Sequence, residues 1–140
     1  MKLADLLDRN ELDVLAHLER EVTIPVLDGP QAQGDLIVLP LAMVPEVIGT
    51  APLLEMPASV ELVRGEAGNN PHTLVADPGT CRWTRWPRDP LGLGIAVFTN
   101  TAPAYLIHPE HGGSGVAPGS WLVRRQQERG TRRHRVLIAD

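Results

Sequence analysis

The chain has a single cysteine, Cys81, among its 140 residues, so no internal disulfide can form and a hydrophobic core must hold the fold. Lysine is nearly missing as well: Lys2 stands beside twelve arginines. Aromatic residues are scarce, with three Trp, one Tyr and one Phe, so the position of each large ring carries weight. The longest apolar stretch, residues 36–45, is broken by Pro40 and falls far short of the ~20 residues that cross a bilayer. The opening Met1-Lys2-Leu3-Ala4-Asp5 turns acidic after its one lysine, unlike a secretory signal. These absences lead to the expectation of a cytoplasmic protein with no membrane segment. The arginine bias, together with thirteen glycines and thirteen prolines, fits a GC-rich bacterial genome.

A chain of this length reads most simply as one domain and buries roughly two-thirds of the surface its unfolded state exposes. The net charge of −4 is unevenly spread. Residues 1–28 carry Asp5, Asp8, Glu11, Asp13, Glu19, Glu21 and Asp28 against Lys2, Arg9 and Arg20. The far end instead gathers Arg124, Arg125, Arg129, Arg132, Arg133 and Arg135.

Leu3, Leu7, Val14, Leu18 and Val22 form one apolar stripe at helical spacing, which predicts an N-terminal amphipathic helix over residues 1–22. Asp8-Arg9-Asn10-Glu11 reads within it as a turn or second N-cap. The stripe packs on the protein's own sheet or serves self-association or a partner's groove. From residue 23 onward the helical spacing gives way to short apolar runs punctuated by Pro, Gly, Asn and Asp. Strands are expected at 23–27, 35–41, 60–64, 72–76, 81–86, 94–99, 104–108, 120–126 and 135–139. The expected fold is therefore mainly β, a small β-barrel or jelly-roll-like sandwich over residues 23–140 preceded by the helix. Residues 44–57, with prolines framing Val47, Ile48, Leu53 and Leu54, read as a packed loop rather than a solvated linker.

His108-Pro109-Glu110-His111-Gly112 concentrates two imidazoles and a carboxylate at a strand-to-turn junction. On a continuous strand His108 and His111 would point to opposite faces, but Pro109 and the following glycines allow the chain to turn back. Two histidines are too few for an ion that takes three or four ligands at ~2.0–2.3 Å. The polar stretch 65–72 offers Glu66 and His72, so Glu66, His72, His108 and His111 form a candidate metal set. Its mixed N/O character suits zinc, iron, nickel or manganese, with Glu110 as a general base. The alternative is that these side chains hydrogen-bond backbone groups at loop ends.

Gly112-Gly113-Ser114-Gly115 reads as a glycine turn linking two strands, since it lacks the lysine and helix of a phosphate loop, and Ser114 lacks an orienting acid and oxyanion hole. Strand alternation sets Cys81, Trp83 and Arg85 on one side and Arg82, Thr84 and Trp86 on the other, making Cys81 a core or interface residue. Trp83 and Trp86 anchor a core or a partner surface. The arginine-rich end suggests nucleic-acid binding as a further alternative, although it has only Trp121 as an interleaved aromatic and ends in an apolar run.

Gln33-Gly34-Asp35-Leu36, then Gly65-Glu66 through His72, then His108-Pro109-Glu110-His111, then Pro118-Gly119 with Arg125-Gln126 occur in one order. In that order, and in the ending Ile138-Ala139-Asp140, the chain resembles a family of small uncharacterised bacterial and phage proteins. The resemblance spans roughly residues 33–140. It departs from the family pattern at Asn70, where the pattern has histidine, and at Gln127 and Arg129. It implies a shared locus, not a chemistry. The leading expectation is a cytoplasmic binding or assembly module that self-associates as a homo-oligomer or engages a protein partner through the helix and the tryptophan-bearing surface. The competing one is a metal-dependent enzyme built on the His/Glu set.

Overall fold

A computed structural model describes residues 1–15, 18–64, 70–129 and 135–137. Besides a single-turn 3-10 helix (Leu41–Met43), one α-helix and thirteen strands occur in order among these residues. They are α1 (Leu3–Asn10), β1 (Val26–Leu27), β2 (Gln31–Gln33), β3 (Leu36–Pro40), β4 (Leu54–Glu55), β5 (Ser59–Arg64), β6 (Pro71–Val75), β7 (Cys81–Arg85), β8 (Gly94–Asn100), β9 (Ala104–His108), β10 (Gly112–Val116), β11 (Gly119–Arg125), β12 (Gln127–Arg129) and β13 (Arg135–Leu137). Sheet 1 has the order β1-β10-β9-β6-β5 and sheet 2 the order β2-β3-β11-β8-β7-β4, with β12 and β13 forming a separate hairpin. Neither sheet closes on itself, so the architecture is the sandwich and not the barrel.

The apolar pattern places this chain in layers. Leu74, Leu106, Ala104 and Val116 from sheet 1 meet Leu36, Val38, Phe98, Trp121 and Val123 from sheet 2 in the central core. Alternate residues of sheet 1, Val75, Tyr105 and Ile107, point the other way and are covered by Leu3, Leu6 and Leu7 of α1 with Val14 and Ile24. On the far side of sheet 2, Val97 and Leu122 are covered by Val44 and Val47, so residues 44–57 include a packed loop as expected. All five residues of β9 are buried because both of its faces are covered.

Each of the nine expected strands overlaps an observed one; β2, β4, β10 and β12 were not expected. The helix is shorter than residues 1–22. It ends at Asn10, where Glu11 adopts the left-handed conformation (φ 53°) and Asn10 Nδ2 donates back to the Leu6 carbonyl at 2.9 Å. Leu3, Leu7, Val14 and Leu18 still join one apolar cluster, but a non-helical chain delivers the later two, and Val22 is exposed. The glycine run is also corrected. Gly112–Val116 is a strand, antiparallel to β9 and parallel to β1. Its lack of side chains lets other segments close on it: a Cβ on Gly115 would lie 2.6 Å from the Pro25 carbonyl oxygen, and one on Gly113 would lie 2.8 Å from Ile24 Cδ1.

Candidate functional site

The antiparallel register of β6 on β9 pairs Thr73 with Ile107 and Leu74 with Leu106. Continuing that register one step sets His72 opposite His108. Both follow the alternation of Leu74 and Leu106, so both imidazoles point between the sheets at one end of the sandwich, and both are fully buried. Their ring centroids are 4.4 Å apart, and His111 lies against the other side of His108 at 4.5 Å. His111 itself is exposed, so the three rings run from the interior to the surface. The turn that Pro109 introduces does what strand alternation alone forbids. Asn70 Nδ2 donates to Glu110 Oε1 at 2.7 Å, which joins the two polar stretches directly.

Sheet 2 supplies the rest of the polar end. His72 Nε2 lies 2.8 Å from Asp35 Oδ1, and its Nδ1 lies 3.1 Å from Gln33 Oε1. Gln33 Nε2 donates to the Leu106 carbonyl at 3.0 Å and to Ser114 Oγ at 3.1 Å, which fixes the amide so that its oxygen faces the ring as an acceptor. Both ring nitrogens of His72 thus face oxygens of protein side chains. Arg125 Nη1 reaches the second Asp35 oxygen at 3.4 Å. Gln126 Nε2 donates to the Gly34 and Leu36 carbonyls at 2.7 and 3.1 Å, clamping the bend that delivers Asp35. A carboxylate with no solvent exposure is tolerable only with such partners, because desolvation costs several kcal/mol per ion.

His108 Nδ1 accepts from the backbone N–H of Glu110 at 3.0 Å and of His111 at 3.3 Å. The neutral ring thus holds its proton on Nε2, while its Nδ1 lone pair caps the turn. Of the four candidate metal ligands, the structure brings His72, His108 and His111 together; Glu66 lies outside the described residues. Among the described residues no group of three or more His, Cys, Asp or Glu is arranged to hold a metal ion. The physical reason is in the bonds above: both nitrogens of His72 and Nδ1 of His108 are engaged by protein groups. Glu110, the candidate base, is exposed and bonded to Asn70. Sequence reasoning passed over Gln33, Asp35 and Arg125 as site residues, although two of the ordered motifs contain them.

Several other expectations meet the structure nearby. Ser114 receives the Gln33 amide proton and takes part in the polar plug. Cys81 is buried in the central core, and burial pushes its thiol up to about 11. Of the C-terminal arginines, Arg125 is tied to Asp35 and Arg124 makes a two-pronged pair with Asp89 at 2.8 and 2.9 Å. That pairing holds the Asp89 carboxyl below its ordinary range. These two guanidinia serve the interior, which leaves the nucleic-acid alternative without them; the side chains of the later arginines lie outside the described residues.

A second feature lies on sheet 2, away from the histidines. Trp121 is buried in the core and Trp83 packs against it with the Arg85 guanidinium 4.8 Å over its ring, but Trp86 is 59% exposed. It has φ 55°, a conformation that costs a non-glycine residue on the order of 1 kcal/mol. Bonds on both sides hold it there: Trp86 N–H donates to the Ile95 carbonyl at 2.9 Å, and Thr50 Oγ1 donates to the Trp86 carbonyl at 3.2 Å. Residues 48–54 run alongside β7 and its extension, through the Ile48–Arg88 bridge and the Leu54–Trp83 pair. Ile48 and Leu54 are 56% and 66% exposed, and Arg82 and Arg88 are exposed beside them. No described helix is long and apolar enough to cross a membrane.

No curated protein and no solved structure matches the chain. A family model does, over residues 32–126, a span that begins at β2 and ends with Gln126 and so takes in Gln33, Asp35, His72, His108 and Arg125. The chain belongs to the DUF8820 family, a domain of unknown function.

Proposed function

We propose that the chain is a non-enzymatic, cytoplasmic binding or assembly module, and that it engages its protein partner through the Trp86 face. The observation that supports this most is Trp86 itself. A chain with three tryptophans holds one of them in a left-handed backbone conformation, clamped on both sides, with 59% of its surface in water. Strain of this kind clusters at functional positions, and tryptophan and arginine dominate protein interfaces energetically. The apolar stripe of the helix is already used on sheet 1, which leaves its polar side for contacts with other molecules. The histidine end reads as the polar plug that joins the sheets and fixes the 108–112 turn, since both ring nitrogens of His72 and Nδ1 of His108 are engaged by protein groups.

The test is site-specific photocrosslinking in cells, with a benzoylphenylalanine in place of Trp86 and, as a control, in place of exposed Thr101. Discrete adducts from position 86 alone support the module. Equal labelling from both positions overturns it. Near-stoichiometric metal in untagged protein, lost in a His108→Ala, His111→Ala double variant, would instead favour the metal-dependent enzyme.

A further inference from the structure

We infer that the occupant of the Trp86 face is a second copy of this chain, docked head-to-tail, with Trp86 of one copy seated in a groove beside α1 of the next. This rests on the reading of the Trp86 face as a binding surface. The groove has a volume of about 290 Å³ and is lined by Ala4, Leu7 and Leu12 together with Asp8, Glu11 and the Asp13–Arg20 ion pair, which leaves Asp8 and Glu11 as its uncompensated charges. It offers apolar contact within an acidic rim. The knob is more basic: exposed Trp86 lies in the chain between exposed Arg82 and Arg88, with Ile48 bridged to Arg88 and one exposed carboxylate, Glu55, opposite Arg82.

Charge supports this pairing. Asp5, Asp8 and Glu11 recur at three-residue spacing on the exposed side of α1 and its C-cap, and none of them has an ion pair among the described residues. Arg82 and Arg88 likewise have none among the described residues; Arg82 Nη2 donates to the Leu53 carbonyl at 3.1 Å. Unpaired carboxylates on one side and unpaired guanidinia on the other are electrostatically complementary between copies. They cannot satisfy each other within one molecule. Sheet 2 carries Trp86, whereas α1 lies on the far side of sheet 1, with both sheets and the central core between them.

Knob and groove are different surfaces, so the contact is heterologous and propagates into a ring or a filament rather than stopping at a two-fold dimer. Tryptophan contributes the apolar area and the carboxylate–guanidinium contacts set orientation. Being exposed at the rim, those contacts weaken with salt.

Sedimentation velocity of the full chain tests this, using Trp86→Glu to remove the knob and a double variant, Asp8→Lys with Glu11→Lys, to remove the groove. Both changes are at exposed positions, and unchanged circular dichroism and melting confirm folding. The expected result is concentration-dependent self-association of the unmodified chain that weakens at least tenfold as salt rises from about 50 mM to about 1 M, where the screening length falls to roughly 3 Å. Each variant alone should be monomeric. Mixed together they should form a 1:1 heterodimer and nothing larger, because one retains the groove and the other the knob.

Continued self-association of the groove variant, with loss only in Trp86→Glu, overturns the head-to-tail arrangement in favour of a patch meeting its own copy. Absence of the heterodimer overturns it as well. A monomeric unmodified chain overturns docking of a second copy, and a further measurement then separates that failure from failure of the surface. Titration with an acidic, leucine-containing peptide that shifts tryptophan emission, with no shift in Trp86→Phe, leaves the binding surface standing with a different partner. No shift in either protein overturns both.

Discussion

Asp35 carries the polar end of the sandwich. Its carboxylate has no solvent exposure, and one oxygen meets His72 while the other faces Arg125. Removing one partner of a buried pair leaves the others uncompensated, which costs about 3–5 kcal/mol. Asp35→Ala should therefore lower stability by about that amount in urea denaturation, and Asp35→Asn, which keeps an acceptor for the imidazole, should lose less. Equal losses would show that shape and not charge is what Asp35 supplies. Asp89 gives the pH dependence. Hydrogen bonding to Arg124 is the largest cause of its lowered carboxyl pKa. A carboxyl whose folded pKa lies below its unfolded value of ~3.9 stabilises fully above that value, and the contribution disappears as pH falls through the folded pKa. Asp89→Asn should thus be less stable than the unmodified chain at neutral pH, with the gap closing under acid, as read from denaturation midpoints at several pH values. In the sequence, the histidines drew attention because an imidazole among polar neighbours suggests chemistry. Nothing local to Asp35 or Asp89 tells a buried carboxylate from a solvated one, and that difference depends on arginines some 90 and 35 positions away.

The elements most legible in the sequence were strands whose apolar residues alternate or run together, such as β3, β8, β9 and β11, because burial on one or both faces writes itself into composition. The helix was legible in type but not in length. Leu3 to Val22 keeps a four-residue rhythm, yet the chain leaves the helix at Glu11, and later apolar residues reach the same cluster by another path. Glycine-rich β10 was misread because glycine is poor in intrinsic strand preference; what makes it a strand is the crowd above it. Gly115 faces backbone, the Pro25 carbonyl, whereas Gly113 faces the ends of flexible side chains, Ile24 and Leu3. Gly115→Ala should accordingly destabilise by about 1–3 kcal/mol and Gly113→Ala by less, since side chains can rotate away and a paired backbone cannot. Thermal melts of the two variants rank them, and the reverse order would overturn this account of β10.

At the scale of the whole molecule, four layers follow one another: α1 with the N-terminal segment, sheet 1, sheet 2, and the 41–53 cover. The candidate metal set presupposes that the 65–72 and 108–112 stretches meet, and Asn70 and His72 do reach Glu110 and His108, but the closing of Asp35 and Arg125 over them depends on how the sheets face each other, which no single stretch encodes. The outer layer is not optional. Leu3, Leu6 and Leu7 are each buried, and each contributes about 1.5–3 kcal/mol, together a large share of the ~5–15 kcal/mol by which a domain is stable. Deleting residues 1–10 should broaden the unfolding transition and expose Val75, Tyr105 and Ile107 to a hydrophobic dye. A truncated chain that melts as sharply as the full one and binds no dye would remove the helix from the list of structural necessities.

The pairing of β1 with β10, and of β3 with β11, also constrains the order in which the protein can assemble on the ribosome. The N-terminal segment finds its parallel partner at Gly115 and Val116, the Leu15 N–H finds its acceptor at Pro109, and β3 finds its central neighbour only at β11. Each contact spans about ninety residues of chain. The leucines of α1 are therefore made well before the strands that they cover. Until then this acidic, leucine-bearing segment waits without its sheet, and its charges are well suited to keeping it in solution until the glycine strand arrives to receive it.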